Sequence, residues 1–169
     1  AHNPTETDRE RQMKRFYGGE VDGASRQLAR YVYETTSTYL PEMNPIMIYR
    51  LDRFGRGGHH KPFNDLGFPG IRIMEAHENY NQQHQDIRME SGIAYGDVIE
   101  HVNFDYVEKL TAVNAISMAS LAWAPQAPTE VAIGGIVEPS VKLKWEQKNP
   151  DDVKGYKIYW RSTTSPTWD

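Results

Sequence analysis

Four histidines, His59, His60, His77 and His84, fall within one stretch, GGHHKPFNDLGFPGIRIMEAHENYNQQHQD. Neutral imidazole is a common zinc ligand, and a carboxylate beside it can fix its tautomer. His84-Gln85-Asp86 supplies both residue types within one short segment. No HExxH is present, so a zinc site built on a single helix is not indicated. On residue types alone His84 is either a metal donor or a loop histidine packed at the surface. The chain contains no cysteine, which excludes disulfides, thiolate zinc sites and a cysteine nucleophile.

The elements around these histidines can be read from pattern. Ser25 has the residue type of a helix cap, and a helix to about Leu40 would place Leu28, Val32, Thr35 and Tyr39 on one stripe before Pro41 stops it. Ile46–Leu51 and Ile71–Met74 are short apolar runs of the kind buried in a mostly parallel sheet. Between them, after the glycine-rich RFGRGGHH, Pro62 fits the first turn of a short helix and Gly67 its end. A polar stretch from Glu75 to about Glu100 follows; a loop that long in a compact domain tends to carry function or to be unstructured. Asn103 suits the cap of a long helix to about Trp123, with Val107, Leu110, Val113 and Leu121 on its apolar side.

APQAPTE then reads as a linker, and beyond it the period changes to two: Val141, Leu143 and Trp145 alternate, as do Tyr156, Ile158 and Trp160. The sequence thus predicts an α/β layer domain over 1–124 and strands of a β-sandwich over 125–169, with the strands near Trp145 and Tyr156 paired antiparallel. Hydrophobic residues make up 38% of the 169 and mean hydropathy is -0.70, with no apolar run near the roughly 20 residues that span a bilayer. The amino terminus has no apolar core of a signal peptide. Net charge is -4, with Lys and Arg spread along the chain, so neither nucleic acid nor membrane is the expected partner.

The runs FYGGEVDGASRQLARYV, DRFGRGGHHKPFNDLGFPGIR, ENYNQQHQDIR and YGDVIEHVNFDYVEKLTAVNAISMASLA together resemble the carboxy-terminal half of bacterial co-catalytic zinc aminopeptidases, peptidase family M twenty-eight, which includes the glutaminyl cyclases. The most specific elements are His60-Lys61-Pro62-Phe63, the GFPG turn and the histidine-aspartate loop after it. The resemblance implies a partial α/β/α sandwich of the zinc-exopeptidase type and a two-zinc peptidase acting on peptide or protein amino termini. By motif position it implies that His84 is the last metal ligand, with Asp86 and His60 in supporting roles. Tyr80 would contact the substrate carbonyl or oxyanion. His59 stands where the family usually has Asp, a change that bears on loop support more than on zinc.

The tail from Pro128 resembles the first strands of a fibronectin type III domain, giving an incomplete β-sandwich. The family's other metal ligands and its general-base Glu have no counterpart in this chain, so the expectation is an inactive segment, with the upstream part of the same enzyme as its partner. A secreted or periplasmic location follows from the resemblance and the appended β-module. Two other readings are a non-catalytic peptidase-like binding protein, separated by the presence of the upstream ligands, and an α/β binding domain whose histidines are incidental.

Overall fold

Glycine before a helical run can serve as its cap, and the helix that starts at Ala24 begins that way. A computed structural model describes residues 7–9, 23–48, 57–135 and 139–169. Most of the polar lead-in, the first of the four resemblance motifs up to residue 22, residues 49–51 of the first expected strand, and residues 53–56 of the glycine-rich loop lie outside the described residues.

Helix α1 spans Ala24–Tyr39 with Gly23 as its extended N-cap. Ser25 is therefore inside the helix and not its cap. Its hydroxyl accepts from the Gly70 amide at 3.1 Å and donates to Asn64 Oδ1 at 3.4 Å, so a tertiary use displaces the local one. The expected stripe holds in part: Thr35 is buried, joined by Arg30 and Thr36, but Tyr39 is 65% exposed. The helix ends where the sequence says it should, with Pro41 opening a 3₁₀ turn over Pro41–Met43. Arg26 reaches back from α1 to the carbonyl of Ile48 at 3.2 Å.

Helix α2, His60–Asp65, is short. Its end is a Schellman arrangement: Phe68 N–H donates to Phe63 O at 2.9 Å and Gly67 N–H to Asn64 O at 3.0 Å, with Gly67 at φ 87°. The chemistry behind the expected Gly67 stop is thus present. Residues 71–74 form neither helix nor paired strand, and among the described residues no segment hydrogen-bonds alongside them as a parallel neighbour would.

The polar stretch after Glu75 contains a hairpin that its length alone did not predict. Strands β1, Arg88–Glu90, and β2, Ile93–Tyr95, pair antiparallel with Glu90 opposite Ile93. The two residues between them, Ser91 and Gly92, have φ of 51° and 79°, the positive pair that two-residue hairpin turns require. Helix α3, Phe104–Ala122, opens on Asn103, whose Oδ1 accepts from the Tyr106 amide at 3.0 Å. Its inward face runs through Tyr106, Leu110, Val113 and Ser117 at alternating spacings of four and three. Val113 is buried, whereas Val107 and Leu121, expected on that side, are exposed. Asn103→Ala is expected to lower stability by about 1 kcal/mol through loss of the cap, read as a lower midpoint in urea unfolding.

The chain divides into two compact units, Ala1–Ser117 and Met118–Asp169. In the second, β3, Thr129–Gly134, pairs antiparallel with β4, Lys142–Glu146. The register shifts between Thr129 and Ala132, where Glu130 has φ 50°. The strand near Trp145 thus pairs with the segment before it. The expected pairing with Tyr156–Trp160 is not formed; that run is not in a sheet. Trp145 meets Tyr156 edge to face at 5.0 Å instead. Sequence alternation marks segments able to pair, but the hairpin partner nearest in sequence takes the ladder.

Candidate functional site

The segment that carries His84 is held at several points. On its amino-terminal side lies Glu78, whose side chain is 6% exposed. A carboxylate so enclosed needs donors. Arg72 Nη2 pairs with Glu78 Oε1 at 3.3 Å. Gln83 Nε2 donates to the same oxygen at 3.2 Å, and the Tyr80 hydroxyl donates to Oε2 at 3.5 Å. These donors come from both sides of Glu78 in sequence and draw the 71–74 segment and the 80–83 turn onto one anion.

The other side is held by the hairpin. Gly96 N–H donates to Asn81 O at 3.0 Å, and Asp97 N–H donates to Gln85 O at 3.1 Å. Arg88 donates to Gln85 Oε1 at 2.9 Å and to Asp86 O at 3.3 Å, while its guanidinium lies 4.0 Å from the centre of the Tyr95 ring. The Arg88–Glu90 ion pair, at 3.0 Å, is exposed on both partners and adds little by itself.

His84 sits between these anchors, exposed and at φ 54°. Histidine is among the residues enriched there, though the left-handed region remains uncommon for any side chain with a Cβ. Asp86 is also exposed. Among the described residues its carboxylate is not hydrogen-bonded to His84, so the loop is held by backbone carbonyls, Glu78 and Arg88. Tyr80 is 51% exposed, with its hydroxyl directed to Glu78. His77 is exposed.

His60 lies apart from the His84 loop in sequence but close to its support. A Cβ at Gly58 would come 2.8 Å from His60 Nδ1 and 3.4 Å from Arg72 Cδ. The His60 ring and the Arg72 side chain therefore flank the same piece of backbone. Nearby, Asn64 Nδ2 donates to Gly70 O at 3.3 Å, completing the Ser25–Asn64–Gly70 clasp. A separate open groove of about 280 Å³ includes Glu75, His101, Val102, Tyr106, Val107 and Leu110 in its walls.

Among the described residues no group of three or more His, Cys, Asp or Glu is placed to hold a metal ion. A catalytic zinc normally takes three protein ligands. The described residues therefore do not by themselves make up such a site. His84 offers one accessible imidazole on an anchored loop. The motif resemblance singled out His84, Tyr80, Asp86 and His60 and did not single out Glu78, Arg72 or Gln83, which the structure joins. A Glu within a few residues of Arg, Tyr and Gln is too common a local composition to single out; only the burial of its carboxylate does so.

The chain is 44% identical over 152 residues to a probable zinc metalloprotease of Leptosphaeria maculans, covering 89% of this chain and 35% of the relative. It is 45% identical over 152 residues to one from Pyrenophora teres f. teres, covering 89% and 32% respectively. It is 44% identical over 152 residues to one from Pyrenophora tritici-repentis, again covering 89% and 32%. Matches of that length span the His84 loop wherever in the chain they begin. The chain spans about a third of the length of these curated relatives. No family model matches it, and no solved structure matches it significantly. The comparisons support a relationship to zinc metalloproteases.

Proposed function

We propose that the chain is a carboxy-terminal segment of a zinc-dependent aminopeptidase with the α/β/α sandwich of the zinc exopeptidases, and that β3 and β4 belong to a fibronectin type III-like module. The observation that carries the reading is the 44% identity to a probable zinc metalloprotease over a stretch that contains the His84 loop. The motif order, His60-Lys61-Pro62-Phe63, then GFPG, then His84-Gln85-Asp86, supports the narrower aminopeptidase assignment.

In this reading His84 would supply one imidazole to one of two zinc ions, and the remaining ligands would come from outside the described residues. When bound, zinc supplies Lewis-acid activation of a peptide carbonyl. The chain's own residues position that chemistry. The anchored loop holds the His84 ring in place, Asp86 and His60 support the loop, and the Tyr80 hydroxyl swings from Glu78 to the carbonyl oxygen of the substrate. One imidazole falls short of the three ligands that a catalytic zinc takes, so the described residues alone would not complete the site. The substrate class is peptides with a free amino terminus, outside the cell or in the periplasm.

The test compares a peptide with a free amino terminus against its acetylated twin, using the longest natural form with zinc. Release of the first residue from the free peptide only is the expected result. Internal cleavage of the acetylated peptide at a similar rate would remove the aminopeptidase assignment while leaving a zinc protease.

A further inference from the structure

We propose that Glu78 is a positioning residue for the His84 loop. The proposal rests on the reading of His84 as a metal donor, and assigns the means by which that donor is held. His84 is exposed and sits in a backbone conformation uncommon for a residue with a side chain. A loop of this kind does not keep one geometry unless its neighbours impose it. The groups that could impose it are unequal. The Arg88–Glu90 pair, with side chains 39% and 61% exposed, lies at the surface, where pairing is worth little. The Glu78 carboxylate is almost fully enclosed, and it gathers Arg72, Tyr80 and Gln83.

The sequence order of those partners explains the consequence. Arg72 lies on the segment that leaves the GFPG turn, and its stem passes the His60 ring at Gly58. Tyr80 and Gln83 lie at the two ends of the turn that delivers His84. One anion thus ties the turn to the α2 region, while the Gly96 and Asp97 amides tie its carbonyls to the hairpin. Without Glu78 the hairpin tether remains and the other is lost, so the loop pivots on residues 81–85. Glu78 also fixes the resting place of the Tyr80 hydroxyl. It therefore acts through its neighbours and needs no contact with substrate or metal.

Two variants test this. Glu78→Ala removes the acceptor that Arg72, Gln83 and Tyr80 share; Glu78→Gln keeps the side-chain length and one acceptor oxygen but loses the charge. In the 169-residue chain, amide exchange at Asn81 and Gln82, whose N–H groups donate to Asn79 within the turn, is expected to accelerate about tenfold or more in Glu78→Ala, with Gly96 and Asp97 at the hairpin tether and Val113 and Ser117 in α3 unchanged and the His84 ring resonances shifted. Glu78→Gln is expected to recover part of both effects. In the longest natural form, zinc affinity measured by chelator competition is expected to fall about 10–100-fold in Glu78→Ala, the range for support of a metal ligand, again with partial recovery in Glu78→Gln. Unchanged local exchange and unchanged His84 resonances in both variants would overturn the proposal. So would acceleration spread evenly over α1 and α3, or a Glu78→Gln protein as perturbed as Glu78→Ala. If His84→Ala leaves zinc untouched while the Glu78 variants loosen the loop, the metal reading of His84 fails and the anchoring stands on its own.

Discussion

His84→Ala in the longest natural form is expected to reduce peptidase activity by more than about 100-fold and to weaken one zinc correspondingly. The magnitude follows from what is removed. Loss of groups that merely support a metal ligand costs roughly 10–100-fold, and loss of the ligand itself must exceed that, since a three-ligand site falls to two. The φ of 54° at His84 provides a control. Glycine takes that conformation without the Cβ penalty, so His84→Gly is expected to fold at least as well as the parent while losing the same zinc. Zinc lost in both variants with the unfolding midpoint preserved in His84→Gly assigns the effect to the imidazole. In the 169-residue chain the same changes are expected to leave overall stability nearly unaltered, because His84 is exposed.

Gly70→Ala is expected to cost stability, by about 1–3 kcal/mol, the range for forcing an extra carbon into a packed site. The added Cβ would lie 2.8 Å from Asn64 Oδ1, 3.2 Å from His60 Cβ and 3.3 Å from the His60 carbonyl. Two of these neighbours belong to α2 backbone or to its first side-chain carbon and cannot swing away. The third, Asn64, is engaged with Ser25 and with Gly70 itself. Relief therefore means breaking the clasp that joins α1, α2 and the GFPG turn. Urea unfolding of the chain measures this; a midpoint equal to the parent's would show that the turn can shift without cost.

How much of this was legible beforehand differs by element. The stops at Pro41 and Gly67 and the Asn103 cap depend on one residue's backbone chemistry, and each was found where the sequence put it. Ser25 shows the limit of such signals: its hydroxyl serves the Gly70 amide, a partner 45 residues away that no local pattern names. The hairpin at 88–95 had a cue in Ser91-Gly92, a dipeptide suited to a two-residue turn, but its strands are only three residues each, too short for alternation to register. The run 71–74 has the composition of a buried strand, yet a parallel strand is made by its neighbours, and none lies beside it among the described residues. Tyr156–Trp160 alternates like a strand and joins no sheet among the described residues, for β4 has taken β3.

The site divides in the same way. His84 was singled out by the order of the motifs around it, since imidazole followed by a carboxylate suits a surface loop as well as a metal. Its supports were not, because Glu78 matters through burial and through partners on both sides of it in sequence.

The central claim, that His84 is a metal donor in a zinc peptidase, is tested most directly by anomalous X-ray scattering at the zinc edge from crystals of the longest natural form. The account predicts a zinc peak about 2.0–2.1 Å from a ring nitrogen of His84, the normal zinc–imidazole distance. A zinc centre fully ligated by other residues, with His84 in solvent or with His77 in its place, would contradict it.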